Sequence, residues 1–289
     1  MFRIASVVGG MLRLKGFNLA NWGTLFLLTP PLIFLSLLFA APLFQVIWTS
    51  FFAPDFTLQY YERIGQNPIY GHIFWNTAKV SALTTISCLI LGYPTAYFLS
   101  TLRSTTRQLL LVFVVLPFLL SILIRNYAWI LLLQTNGGVN RILLSLGLIS
   151  KPLELMYNET GVLIGMTNVL LPYMIFPLLS AFMAIPSDVK EASASLGANS
   201  TKTFLRVTLP MSLPGISAGC LLVFIVSLGY FVTPALLGGP RQMMISNIIE
   251  FHVRQVLNWP FAFALANVLL MGTLIWYFLY IKIIPKQRS

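Results

Sequence analysis

The sequence predicts an all-α membrane protein of about six transmembrane helices, on three observations. Of its 289 residues, 57% are hydrophobic and 9% charged, whereas a soluble globular domain carries about 25% charged residues. The apolar residues gather into runs that match the roughly 20 residues a helix needs to cross a ~30 Å hydrocarbon core. The net charge is +11, but the basic residues are scattered among short segments between the runs. They form no stripe and no nucleic-acid motif, so their pattern points to membrane topology. Cys88 and Cys220 both fall inside apolar runs and read as small buried hydrophobes, not as a disulfide or metal site. No cleavable signal peptide is evident, because the first apolar run begins late and is too long.

Residues 1–23, with Arg3, Arg13 and Lys15, read as a cytoplasmic N-terminal segment. The expected spans are 24–48, 75–102, 109–133, 161–184, 215–237 and 261–284, followed by a cytoplasmic tail at 285–289. Gln45 and Trp48 suit the interfacial end of the first span. Asp55, Glu62 and Arg63 mark the polar loop after it. Gly92-Tyr93-Pro94 should kink or loosen the second span. Arg103 and Arg107 make a basic turn before the third. Gly137-Gly138 and Lys151-Pro152 mark a mixed loop before the fourth, which Pro172 and Pro177 interrupt. After the fifth span, Ile245, Ile248, Ile249, Val253 and Val256 recur at helical spacing. Glu250 and Arg254 form an i,i+4 pair of favourable polarity in that loop helix.

The positive-inside rule gives a consistent assignment with both termini in the cytoplasm. The inner segments then hold Arg3, Arg13, Lys15, Arg103, Arg107, Lys190, Lys202, Arg206, Lys282, Lys286 and Arg288. The outer loops hold most of the acids: Asp55, Glu62, Glu154, Glu159 and Glu250.

A polar, basic island at 186–214 separates the fourth and fifth spans. Asp188 with Glu191 three residues on reads as a helix N-cap and its capping-box partner. Gly197 sits where a helix needs a left-handed residue to end. Asn199 or Ser200 caps a second short helix through Val207, which Pro210 should end soon after. Small residues (Ala192, Ser193, Ala194, Ser195) on the first helix allow close approach of another protein.

Glu191-Ala192-Ser193, three residues, Gly197, nine residues, Val207, one residue and Leu209-Pro210 resembles the EAA loop of ABC importer permeases. Ser193 and Val207 replace Ala and Ile of that pattern and keep size and character. Several other stretches resemble the permease subunits of spermidine/putrescine-type ABC importers. These are Leu91-Gly92-Tyr93-Pro94 with Ala96-Tyr97, Leu123-Ile124-Arg125-Asn126-Tyr127-Ala128-Trp129, Pro214-Gly215-Ile216-Ser217-Ala218-Gly219-Cys220-Leu221-Leu222, Leu236-Leu237-Gly238-Gly239 and Trp259-Pro260-Phe261. The resemblance implies a type I ABC importer permease fold, with a five-helix core and an N-terminal helix packed on a partner permease. It implies a second permease subunit, a separate ATPase dimer that holds ATP and Mg, and an external solute-binding protein. No cofactor is expected on this chain, which lacks a Walker A pattern. The same resemblance assigns Glu191, Ala192, Ser193, Leu196, Gly197, Phe204, Val207, Leu209 and Pro210 to ATPase coupling. One departure is that Tyr230-Phe231-Val232-Thr233-Pro234-Ala235 holds no acid, where some polyamine permeases carry one just before the LLGG stretch.

Arg125 lies about 24 Å along the third span at 1.5 Å per residue. It reads either as an arginine that snorkels to the interface or as part of a translocation wall, bonded to a carbonyl or to solute. Asn126, Tyr127 and Trp129 share that wall or form an interfacial aromatic belt. Tyr230, Phe231 and Thr233, next to Pro234, are pathway candidates or helix-packing residues. His72 and His252 lack companions at metal-ligand spacing and read as solvated or structural.

The function expected is import of a small polar solute, polyamine-like, across the bacterial inner membrane. The alternatives are the same importer class for an amino-acid derivative, opine or phosphonate, or an ion-coupled secondary transporter. A secondary transporter should show intramembrane carboxylates or histidines and repeated halves. An intramembrane enzyme would need clustered His, Asp or Glu. Neither pattern is evident in the sequence.

Overall fold

A computed structural model describes residues 22–283. The N-terminal segment with Arg3, Arg13 and Lys15, and the tail with Lys286 and Arg288, lie outside the described residues. Among the described residues the regular structure is helical, apart from a single Phe52–Phe56 bridge.

Residues up to Thr57 form one compact unit and Leu58 onward another. The first unit contains α1 (Trp22–Leu35), a π-helical turn (Ser36–Ala40) and α2 (Ala41–Phe51). The wide turn falls just before Pro42, whose missing N–H disrupts the regular helical ladder. Leu28–Phe51 is long and apolar enough to cross a membrane.

In the second unit, α3 (Gln59–Gln66) precedes α4 (Pro68–Thr101). Asn67 caps α4, its Oδ1 accepting the Ile69 N–H at 3.0 Å, with Pro68 at the first helical position. The expected third span is broken. α5 (Ser104–Leu119) is bent by 96° from the stretch Ile122–Ser145 that follows it, which opens with α6 (Ile122–Leu133). Pro117 removes a donor from the last turns of α5, and Leu120 and Ser121 are extended. α7 (Gly138–Ser145) occupies what reads as loop in the sequence. α8 (Glu159–Met183) is capped by Asn158, whose Oδ1 accepts the Gly161 N–H at 3.1 Å.

The island forms α9 (Ser187–Ser195) and α10 (Ser200–Thr203). Pro210 does not end the second helix. A π-helical turn (Phe204–Thr208) leads straight into α11 (Leu209–Leu228). The Leu209 N–H reaches back to the Phe204 carbonyl, an i→i−5 bond whose wider turn accommodates the proline. The fifth apolar helix therefore runs Ser200–Leu228, ending before Tyr230. Residues expected at its outer end instead form a separate α12 (Val232–Leu237). α13 (Ile245–Arg254) and α14 (Trp259–Ile283) complete the chain. The carbonyls freed at the break are taken up by α13. The Ser246 hydroxyl donates to the Tyr230 carbonyl at 2.7 Å and the Asn247 amide to that of Phe231 at 2.9 Å.

The core is a triad of α4, α8 and α11. In α8, 61% of the most apolar stretch is buried, against 33% in α4 and 22% in α14, so α8 is central. Thr77, Ser81, Thr84, Cys88, Gly92 and Ala96 recur along one buried stripe of α4. Small side chains let membrane helices approach closely, because dispersion contacts and not hydrophobic exclusion hold them together in lipid. Gly92 and Gly219 both press on Met174 of α8. A half-buried ion pair, Lys79 Nζ to Glu159 Oε2 at 2.5 Å, bridges α4 and the start of α8. At the same end, Tyr70, Ile245, Phe261 and Leu265 form a second cluster. The Arg63 guanidinium lies 4.8 Å from the Phe261 ring centre there.

Candidate functional site

Two regions concentrate the chemistry. The first is the α9–α10 element. Gly197 takes φ +79°, a left-handed conformation that favours glycine. The Ala198 N–H then reaches the Ser193 carbonyl at 3.1 Å, closing α9. Asn199 caps α10 through the Lys202 N–H at 2.9 Å. The Ser193 and Thr203 hydroxyls meet at 2.9 Å and tie the two helices together. Asp188 departs from expectation. α9 begins at Ser187, so Asp188 lies within the first turn, where its charge suits the positive end of the helix dipole. Its side chain accepts from the Ser187 hydroxyl at 3.1 Å. Leu196 is 87% exposed, and Glu191, Ala192 and Gly197 are also exposed.

Phe204 turns the other way. Its ring packs edge-on against Tyr97 at 5.6 Å and Tyr93 at 6.1 Å. Both tyrosines also meet Phe182 of α8, at 5.1 and 5.5 Å. The Tyr93 hydroxyl lies 3.1 Å from that of Ser212 in α11. One aromatic cluster therefore joins the exposed element to all three core helices. Val207 and Leu209 are half-buried beside it and Pro210 is exposed.

The second region is a groove of about 370 Å³ between α4, α6 and α8. Ser87 and Leu91 line it from α4, Trp129 from α6, and Leu163, Ile164, Thr167, Asn168 and Leu171 from α8. The Trp129 Nε1–H donates to Asn168 Oδ1 at 3.3 Å, which fixes the indole across the groove. Ser87 and Asn168 are half-buried and Thr167 is buried on otherwise apolar spans; polar side chains there are costly in lipid, so they mark a wetted or partnered surface.

A family profile described as "Binding-protein-dependent transport system inner membrane component" matches residues 88–288. The chain belongs to that family. The matched range takes in the α9–α10 element and, except for Ser87, the whole groove. The spermidine/putrescine transport system permease protein PotB of Haemophilus influenzae is 37% identical over 260 residues, 89% of each chain. PotB of Escherichia coli is 36% identical over 244 residues, covering 81% of this chain and 88% of that protein. The fold resembles a bacterial ABC transporter involved in import of the acidic polysaccharide alginate. That match has a TM-score of 0.71 at 21% identity and covers 91% of this chain and 96% of the other. The alginate transporter in complex with a pentasaccharide-bound periplasmic protein gives a TM-score of 0.73 at 19% identity over 90% and 92%. This member of the family is thus an inner-membrane transport component with a type I ABC importer permease fold.

The fold separates the pathway residues chosen from sequence. Trp129 alone lies in the groove. Arg125 and Tyr230 line a different cavity of about 300 Å³ with Phe118 and Tyr173, beneath the α5–α6 break. The Arg125 Nη1–H donates to the Pro117 carbonyl at 2.5 Å, across that break. The broken span leaves a carbonyl that needs a donor, and Arg125 supplies it. Asn126 is buried and donates to the Ile122 carbonyl at 2.8 Å. Thr233 is buried against Gly165, while Tyr127 and Phe231 are exposed. Sequence reasoning missed Ser87, Thr167 and Asn168. Their signal was available, as polar residues inside apolar runs, but only the fold shows that α4 and α8 turn them to one groove.

Proposed function

We propose that this chain is one permease of an ATP-driven importer for a small cationic solute of the polyamine type. The observation that carries the coupling half is the aromatic cluster. Phe204 links an exposed helix–glycine–helix element to the very helices that line the groove. A separate ATPase pair, holding ATP and Mg, grips α9 with its small residues and the exposed Leu196. The termini and this element face the cytoplasm, and the Glu159 end of α8 faces outward. ATP-driven closure of the pair moves α9 and α10, and Phe204 transmits the shift through Tyr93, Tyr97 and Phe182. The bundle rocks outward, a solute-binding protein delivers its cargo to the groove, and hydrolysis resets the bundle inward.

A second, homologous permease supplies the facing wall. Trp129 offers an indole face to an ammonium group, and Ser87, Thr167 and Asn168 offer oxygen acceptors. The polyamine assignment is supported by the PotB relatives. The test is isolation of the intact assembly and reconstitution into vesicles. Copurification of an ATPase and ATP-dependent uptake of spermidine or putrescine support the reading. Absence of any nucleotide-hydrolysing companion overturns it.

A further inference from the structure

The spanning helices contain a single carboxylate. Of the seven acidic residues, Asp55 and Glu154 lie between helices, Glu62 and Glu250 lie on α3 and α13, and Asp188 and Glu191 lie on α9. Only Glu159 belongs to a helix able to cross the membrane, as the first residue of α8. It stands one turn, about 6 Å, beyond Leu163, where the groove begins. Lys79, its partner, stands about 12 Å along α4 from Ser87 in the same direction. The pair therefore sits at the end of the groove farther from the α9–α10 element, on the seam between the two helices that form its walls. Neither side chain is deeply buried, at 39% and 33% exposure.

We propose that Glu159 is the entry carboxylate for the cationic solute and that Lys79 is its resident counter-ion, exchanged for a solute ammonium. This assignment rests on the reading of the groove as the solute path. A half-exposed ion pair contributes little to stability, so trading one ammonium for another costs little. Lysine suits the exchange, because its ammonium sits on a flexible four-carbon stem and swings aside without disturbing the backbone. With Lys79 in place, the groove mouth is neutral and holds no unpaired charge in a low dielectric. The carboxylate becomes available only to a competing cation. This gives a chain whose spans lack other acids a means of selecting for positive charge.

The test uses the full assembly with its ATPase, second permease and binding protein, reconstituted in vesicles and assayed with radiolabelled spermidine and putrescine. Glu159→Gln should lower uptake at subsaturating loaded binding protein about tenfold, the loss expected when one charge-assisted bond is removed. Permease content and ATP hydrolysis should persist. Lys79→Gln should match or exceed native uptake, and the double variant should behave as Glu159→Gln. Undiminished uptake by Glu159→Gln overturns the assignment. So do equal losses in both single variants with recovery in the double variant, the pattern of a structural pin. Trp129→Ala separates this failure from that of the parent reading. If it abolishes uptake while Glu159→Gln does not, only the Glu159 assignment falls. If neither variant matters, or the native assembly takes up no polyamine, the reading of the groove falls and the assignment with it.

Discussion

Gly197 combines a left-handed backbone with open surroundings, since no atom lies within 4 Å of a Cβ built there. An aspartate at this position therefore meets no steric block within the chain, and short polar side chains tolerate φ +79° at modest cost. Gly197→Asp should insert and accumulate normally, while uptake falls to background because bulk and charge are added to the turn proposed to meet the ATPase. Quantitative membrane blotting beside vesicle uptake checks both halves. His252 supports a different prediction. Burial, and next the charge of Arg63, hold its imidazole below the ordinary value of 6.5. Glu250 and Arg254 on its own helix and Glu62 and Arg63 on α3 are charged groups on these two helices. The folded state thus favours neutral His252, and unfolded chains bind the extra proton first. Stability from this group is complete above about pH 6.5 and declines as pH falls below it. The melting temperature should drop between pH 7.5 and pH 5.5, and His252→Gln should flatten that dependence.

Phe204 is the joint between α10 and the bundle. Phe204→Ala removes edge-on contacts with Tyr93 and Tyr97. It should leave ATP hydrolysis running while uptake falls at least tenfold, an uncoupled phenotype read by measuring both rates on one preparation. The α8–α11 contact depends on the absence of side chains. A Cβ on Gly215 would stand 2.6 Å from the Ala181 Cβ and 2.8 Å from the Pro177 carbonyl oxygen. Because a backbone atom cannot rotate away, Gly215→Val should destabilise the bundle by about 1–3 kcal/mol, visible as lower yield and melting temperature in detergent. Much at this level was legible beforehand. The helix–Gly197–helix element, the α13 helix and its Glu250–Arg254 pair, 3.4 Å apart, all formed as expected. Two expectations failed because a proline's effect depends on its neighbours. Pro210 was absorbed by a π-helical turn, while Pro117 stands close to a full break.

In the whole bundle, membrane composition and the location of polar islands decide a large part of the architecture. Hydropathy placed most of the spans, because lipid leaves a chain few alternatives to helices about 20 residues long. The spacing from Glu191 to Pro210 located the α9–α10 element, because its turn is built from local bonds around Gly197. If the assembly works as proposed, an affinity tag on this chain should retain an ATPase in stoichiometric amount, measured by gel densitometry. The sequence alone thus determined the class of the protein, its family and its helix–Gly197–helix element, all written in composition or in contacts a few residues apart. Only the tertiary structure decided that Arg125 bonds Pro117 across a break, and that Trp129 leaves Tyr230 for a groove with Ser87 and Asn168. It alone paired Lys79 with Glu159, 80 positions away. Apolar helices in lipid carry almost no amphipathic signal, so the face that each turns to its neighbours follows from packing of small residues and not from periodicity.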